Sequence, residues 1–130
     1  MRQSTVAVPA GTLLYHGTGW SFDPDEIMAP CWFSRSIDVA RHFCRRSDGG
    51  TSRILAYRTD TEIVLPLIRG QKRFDAFCER HGIRPYSAED MADGVSRAGL
   101  AGWVIPDNYP DGDDILLVDV STLTFDHEET

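Results

Sequence analysis

The sequence lacks any long apolar run. No uninterrupted apolar stretch in its 130 residues approaches the ~20 residues that are needed to cross a bilayer. The amino-terminal segment MRQSTVAVPAG also has no apolar stretch typical of a signal peptide. We therefore expect a protein without membrane association and with a cytoplasmic location, or one that is delivered into another cell by a route without a readable signal.

Cysteine is scarce, and its spacing excludes the usual cysteine frameworks. Cys31, Cys44 and Cys78 are odd in number and form no CxxC pair, so a disulfide scaffold is not expected. A zinc site made by Cys78 and His81 with His42 and Cys44 is an alternative on paper. Because these spacings match no closed tetrahedral pattern, we expect reduced thiols and no metal.

Several catalytic signatures are absent. The sequence contains no GxSxG nucleophile elbow, no GxxxxGK[ST] phosphate loop and no HExxH zinc motif. The stretch PDGDD has the composition of a calcium loop, but its oxygen ligands do not alternate in the required register and no closing glutamate follows. These absences direct attention to less common arrangements of catalytic residues.

Positive charge is outweighed by negative charge. The chain carries 13 Lys and Arg against 20 Asp and Glu, a formal net charge of −7, which argues against nucleic acid as a partner. From Asp107 onward the chain has eight acidic residues and no Lys or Arg, whereas arginines concentrate between residues 35 and 58. That cluster is either a site for the phosphates of a small anionic ligand or a solvated arginine face. Its members are Arg35, Arg41, Arg45, Arg46, Arg53 and Arg58.

The periodicity of apolar residues predicts one α+β domain that spans residues 1–130. At 42% hydrophobic composition the chain can bury a core without disulfide or metal cross-links. Helices are expected at residues 36–46, ended by Gly49 and Gly50, at 71–82, and at 87–99 with a Ser87 N-cap. Short strands are expected at residues 12–16, 31–34, 53–59, 62–68, 102–106 and 114–120, with a loop at 107–113. The order of elements favours α+β over an alternating parallel sheet.

Three separated stretches contain the candidate functional residues. They are LYHGT, WFSRSIDVARHF and GWVIPDNYPDGDDILLVDVSTL. Taken alone, His16 and the following glycines could simply end a strand, and Trp32 and Phe43 could be core aromatics.

In their order and spacing, the three stretches resemble the motifs of the ADP-ribosyltransferase superfamily, in particular its diphtheria-toxin-like and poly(ADP-ribose)-polymerase-like branch. The resemblance covers about residues 12–124. It implies an ADP-ribosyltransferase-like split β-sandwich of two small sheets with flanking helices. It also implies NAD as a substrate and no metal.

The first motif implies a set of NAD contacts at the end of a strand. His16 resembles the family histidine whose ring hydrogen-bonds the adenosine ribose. Gly17 matches the residue whose backbone amide and carbonyl hold the nicotinamide carboxamide, and only a position without a side chain permits this close approach. Thr18 occupies the place of a small hydroxyl residue near the same ribose.

The second motif implies an aromatic nicotinamide pocket. Trp32 matches the tyrosine of the family triad and Phe43 a second aromatic, so the nicotinamide ring would stack between them. Ala40 stands where the family has a serine that contacts the carboxamide, so one hydrogen bond would be lost. Phe33, Ser34 and Arg35 complete the NAD-binding set. Arg35, or Arg41 further along the helix, is a candidate for the pyrophosphate.

The third motif departs most from the family pattern. Asp114, with Asp113 beside it, takes the position of the family glutamate, which stabilises positive charge as the glycosidic bond breaks. Aspartate carries the same charge on a side chain one methylene shorter. A surface acidic pair is the alternative interpretation.

These assignments predict a mono-ADP-ribosyltransferase that releases nicotinamide and modifies a macromolecular acceptor, with a protein favoured over nucleic acid. A second enzymatic alternative is an NAD glycohydrolase, in which water is the acceptor. An alternative of another class is a catalytically inactive module that binds NAD or a protein, since Asp and Ala replace the family Glu and Ser.

Overall fold

The computed structural model describes residues 3–19, 22–44 and 52–129, and these form an α+β fold. The α+β prediction is thereby confirmed. The strands are β1 (Thr5–Val8), β2 (Leu13–Thr18), β3 (Cys31–Phe33), β4 (Arg53–Thr59), β5 (Ile63–Pro66), β6 (Gly102–Tyr109), β7 (Gly112–Leu117) and β8 (Leu123–Glu129). The α-helices are α1 (Ile37–Cys44), α2 (Gln71–His81) and α3 (Ala88–Arg97).

The strands form three small antiparallel sheets. The strand orders are β1-β5, β2-β4-β8 and β3-β7-β6. A bridge between Tyr15 and Ser34 joins the two three-stranded sheets, and a parallel bridge between Leu67 and Val104 joins the two-stranded sheet to β6. Because a single residue pair links β2 to β3, the two larger sheets separate on either side of that pair.

Two hydrophobic cores hold these layers together. One core collects buried side chains from all three sheets, among them Leu14, Phe33 and Tyr57. The other lies between α2, α3 and the second face of the β3-β7-β6 sheet, with Trp103 and Phe77 at its centre. Trp103 is 0% exposed and contacts Phe74 and Phe77 edge-on, a geometry that aromatic rings favour.

The helix boundaries follow local signals in the sequence. The Ser87 side chain accepts a hydrogen bond from the amide of Asp90, as predicted for the cap of α3. Helix α2 ends at Gly82, whose φ of 66° is the left-handed conformation that glycine adopts readily. For α1, the predicted start is confirmed, whereas Arg45, Arg46, Gly49 and Gly50 lie outside the described residues.

The predicted loop at residues 107–113 is wrong. Strand β6 continues to Tyr109, and β7 begins at Gly112, so this stretch is a β-hairpin with Pro110 and Asp111 at its tip. Strands β1 and β8 also extend the fold beyond the predicted core of residues 12–124. Among the described residues, no helix combines the length and the apolar composition that a membrane span requires.

Candidate functional site

The candidate site begins where β2 separates from β3. Tyr15 and Ser34 exchange two backbone hydrogen bonds, of 2.8 and 3.0 Å between nitrogen and oxygen. Backbone groups in an antiparallel strand alternate between its two edges, so the N–H and C=O of Gly17 face the same edge as those of Tyr15, beyond the last bridge. Outside the strand ladders, neither group of Gly17 makes a backbone hydrogen bond among the described residues. This donor and acceptor are therefore not used by β3, and a ligand with one acceptor and one donor would complement them.

Gly17 also sets the distance between β2 and α1. A Cβ atom at this position would lie 1.8 Å from the carbonyl oxygen of Ala40 and 3.1 Å from the Sγ atom of Cys44. Both Gly17 and Ala40 are buried. The lack of side-chain volume at these two positions permits the helix to rest on the strand.

The His16 ring is turned into the fold beside the split. Its Nδ1 atom lies 2.8 Å from the carbonyl oxygen of Trp32, and since a carbonyl only accepts, Nδ1 carries the proton and Nε2 is the acceptor. The ring is half-buried and packs against Phe22 and Phe33, with centroid distances of 6.4 and 5.7 Å. Burial lowers the pKa of His16, against the opposing effect of the bond to the Trp32 carbonyl, so the ring is neutral at pH 7.

A free thiol lies beside this imidazole. The Sγ atom of Cys31 is 3.3 Å from Nδ1 of His16. Burial raises the pKa of Cys31 to about 12, so the thiol stays protonated and the pair is not a thiolate-imidazolium couple. Cys31 therefore acts as a small apolar neighbour of the histidine.

Trp32 and Asp114 line one cleft of about 370 Å³ on the face of the β3-β7-β6 sheet nearest α2. Asp114 is 4% exposed, and its Oδ2 atom accepts a hydrogen bond of 2.8 Å from the side-chain amide of Asn108. Trp32 is half-buried, and its ring meets Trp103 at 6.3 Å, edge to face. The cleft is lined by Trp32, Gly70, Gln71, Phe74, Ile105, Asp107, Asn108 and Asp114.

Asp113 and Asp114 have different environments although they are adjacent. The Asp113 carboxylate accepts hydrogen bonds from the Ser34 hydroxyl at 2.8 Å, the Arg35 amide at 3.0 Å and the Arg35 Nε at 2.7 Å. Asp113 does not line the cleft that Asp114 lines. Asp113 thus anchors the segment that leads into α1, and it leaves the terminal nitrogens of the 43% exposed Arg35 side chain at the surface.

Trp32 and Phe43, the two predicted stacking partners, have different aromatic neighbours. Phe43 meets Tyr109 edge-on at 5.8 Å, and Tyr109 stacks on His42 at 5.4 Å. The tip of the β6-β7 hairpin therefore packs against the end of α1. Sequence reasoning missed Tyr109 because it placed this residue in a loop.

The remaining predicted NAD-binding residues, Phe33, Ser34 and Thr18, are all buried. Phe33 is 0% exposed and packs on Tyr57 at 5.9 Å, so it is a core residue. Ser34 is fully buried, and its hydroxyl accepts a hydrogen bond from the Ser36 amide. Thr18 is buried at the end of β2, in register with Arg53.

The described members of the arginine cluster are each paired with a carboxylate. Arg35 pairs with Asp113 and Arg41 with Asp38, both at 2.7 Å. The remaining pairs are Arg53 with Glu128 and Arg58 with Asp126. Arg45 and Arg46 lie outside the described residues. The described part of the cluster is therefore largely neutralised, and Arg35 directly follows Ser34 of the bridge between the two sheets.

Cys31, Cys44 and Cys78 are free and buried. Among residues 3–19, 22–44 and 52–129, no group of three or more His, Cys, Asp or Glu side chains is arranged to hold a metal ion. Comparisons of the chain with protein-family models, with curated proteins and with solved structures found no match.

Proposed function

We propose that the protein is an NAD-dependent mono-ADP-ribosyltransferase built on an ADP-ribosyltransferase-like split β-sandwich. It would release nicotinamide and transfer ADP-ribose to a macromolecular acceptor, with a protein favoured. Two three-stranded sheets that meet at one bridge and then separate are the arrangement expected of such a fold.

The observation that carries the proposal is the backbone edge of Gly17. Its N–H and C=O face the split and make no backbone hydrogen bond outside the strand ladders among the described residues. A primary carboxamide offers one acceptor and one donor in the same plane, which complements these two groups. An added Cβ would collide with α1, so the packing of this helix already requires glycine at the position proposed to hold the carboxamide.

Three side chains support the same assignment, and of these only Trp32 lines the cleft that contains Asp114. The neutral His16 ring has Nδ1 fixed by the Trp32 carbonyl, so Nε2, which lies 3.8 Å from the Sγ atom of Cys31, is the nitrogen that would accept from a ribose hydroxyl. Arg35 is held by Asp113 with its terminal nitrogens at the surface, which suits a pyrophosphate. Trp32 supplies an aromatic wall in the cleft that contains Asp114.

Asp114 is the residue to which we assign the main electrostatic role. In the transfer, the bond between the anomeric carbon and the nicotinamide nitrogen breaks, and the bonding electrons leave with nicotinamide. Positive charge grows on the ribose, and a nearly buried carboxylate stabilises it more effectively than an exposed one. The acceptor nucleophile then bonds to the anomeric carbon and releases its proton. With water as the acceptor, the same steps give an NAD glycohydrolase.

The inactive alternative also has specific support. Asp114 is shorter than the family glutamate, and Ala40 has no hydroxyl for the carboxamide. A module of this kind would bind NAD or a protein partner without turnover.

The deciding experiment is a calorimetric titration of the protein with NAD, beside His16→Ala and the control His127→Ala, which removes a partly exposed histidine on β8. We expect micromolar to low-millimolar binding that is lost in His16→Ala and kept in His127→Ala. No binding by the unmodified protein would overturn the proposal. Chromatography then measures nicotinamide release with and without cell lysate. If the protein binds NAD but releases no nicotinamide in either case, it is the inactive module.

A further inference from the structure

A second groove lies on the other side of α2 from the candidate cleft. It has a volume of about 470 Å³ and is bounded by α2, the end of β5 and the segment that precedes β1. The amide side chain of Gln3 donates to the carbonyl of Leu67 at 3.0 Å and fixes that segment across the groove. Three cationic and three apolar residues line it: Lys72, Arg73, Arg80, Leu67, Ile68 and Ala76.

The cations of this groove are not neutralised by the protein. Lys72, Arg73 and Arg80 are exposed, and none of them forms an ion pair in the part of the chain that the structure describes. No acidic residue lines the groove, although the chain as a whole has a net charge of −7. The groove is therefore a local positive site on an acidic protein.

The charged and apolar residues that line the groove indicate which class of ligand it would bind. Lys72, Ala76 and Arg80 are spaced four residues apart and share one face of α2. Leu67 and Ala76 add apolar surface, whereas no aromatic residue lines the groove. Single-stranded nucleic acids bind through aromatic stacking beside positive charge, and this groove offers only the charge. Carboxylates with an interspersed apolar side chain match both of its features.

We propose that the groove is a docking site for an acidic, apolar-containing segment of a protein. Helix α2 separates the groove from the candidate cleft, because Gly70, Gln71 and Phe74 line the cleft while Lys72 and Arg73 line the groove. The diameter of a helix is about 10 Å. A segment seated in the groove would thus bring neighbouring residues to the mouth of the cleft. That this segment belongs to the acceptor rests on the proposed function, whereas the docking site itself does not.

The test is fluorescence anisotropy at low salt with a short fluorescein-labelled peptide of glutamates that surround two leucines. The groove variant is Arg73→Gln with Arg80→Gln. The matched control is Arg84→Gln with Arg97→Gln, which removes the same charge from exposed positions outside the groove. We expect the affinity to fall about fivefold or more in the groove variant and less than about twofold in the control.

Equal losses in the two variants, or no binding of the peptide to the unmodified protein, would overturn the proposal. Tighter, groove-dependent binding of a labelled oligouridine of the same length would also overturn it, because the ligand class would then be nucleic acid. NAD binding by the same variants, measured by calorimetry, separates the two proposals. Absence of NAD binding in the unmodified protein and in both variants contradicts the transferase but not the docking site. Absence of peptide binding by the unmodified protein contradicts the docking site but not the transferase.

Discussion

Gly17 and Ala40 bring β2 and α1 into direct backbone contact. A Cβ added at Gly17 would lie 1.8 Å from the Ala40 carbonyl oxygen, and this oxygen cannot move without moving the helix. We predict that Gly17→Ala lowers the free energy of unfolding by about 3 kcal/mol or more, since overpacking displaces backbone here and not a flexible side chain. Urea denaturation followed by circular dichroism measures the change.

The control for this prediction is Gly99→Ala. Gly99 has a φ of +75° and no atom within 4 Å of an added Cβ, so it carries only the conformational cost of a left-handed residue, about 1 kcal/mol. If both substitutions cost the same, the contact between Gly17 and Ala40 does not limit the packing of α1. A Gly17→Ala protein that keeps its stability would contradict the prediction directly.

Asp113 is predicted to act as a positioning residue. Its carboxylate holds the Ser34 hydroxyl and both the amide and Nε of Arg35. Asp113→Asn removes the charge from these hydrogen bonds, and we expect a loss of about 2 kcal/mol in stability. Under the proposed function the KM for NAD rises several-fold while kcat is nearly unchanged, because Arg35 loses its orientation.

The matched control for Asp113 is Asp111→Asn. Asp111 has a 49% exposed side chain at the hairpin tip and lies 3.4 Å from His42, so its substitution should change stability by less than about 0.5 kcal/mol. A loss of kcat with an unchanged KM in Asp113→Asn would instead indicate that Asp113 acts on the reacting atoms.

Elements with strong local signals were predictable from the sequence. Strand β4 occupies the predicted residues, because a β-branched and aromatic run is bounded by turn residues. Helix α3 begins after its predicted Ser87 cap. Strand β8 was missed because its exposed edge dilutes the apolar signal, although Leu123 and Phe125 alternate with polar residues.

The candidate site was predictable only in part. The approach of Trp32 to Asp114 across β3 and β7 depends on pairing between residues distant in sequence. The separate roles of Asp113 and Asp114 follow from the two-residue period of a strand. These separate roles were not predicted from the sequence, because the predicted strand began at Asp114 and left Asp113 in a loop, whereas β7 begins at Gly112. Tyr109 gave no signal, since its contact with α1 is a tertiary one.

We predict that protonation of His16 contributes to the loss of stability at acid pH. Burial lowers its pKa from 6.5, so the unfolded chain takes up a proton near pH 6.5 while the folded chain does so only at lower pH. This contribution to stability is therefore present above pH 6.5 and is lost as the pH falls towards the folded pKa.

The variant for this test is His16→Asn, whose amide can still donate to the Trp32 carbonyl but does not titrate. We expect a smaller acid loss of Tm in the variant than in the unmodified protein. His127→Gln serves as the control of opposite sign. Hydrogen bonds with Glu129 and Asp126 raise the pKa of His127, so this residue stabilises at low pH and loses its effect as the pH rises. Parallel Tm profiles for His16→Asn and the unmodified protein would contradict the assignment.

Asp114 offers the sharpest separation of binding from chemistry. Under the proposed function, its nearly buried carboxylate interacts most strongly with charge that develops in the transition state. We therefore predict that Asp114→Ala lowers nicotinamide release by about 100-fold or more while the Kd for NAD changes by only a few fold.

Asp107→Ala removes a second carboxylate from the same cleft and should leave release nearly intact. Under the same proposal, Asp114→Glu supplies the longer side chain of the glutamate in the motif that the sequence resembles and should keep or raise the rate. If Asp107→Ala and Asp114→Ala reduce the rate equally, general acidity of the cleft accounts for catalysis and Asp114 has no special role.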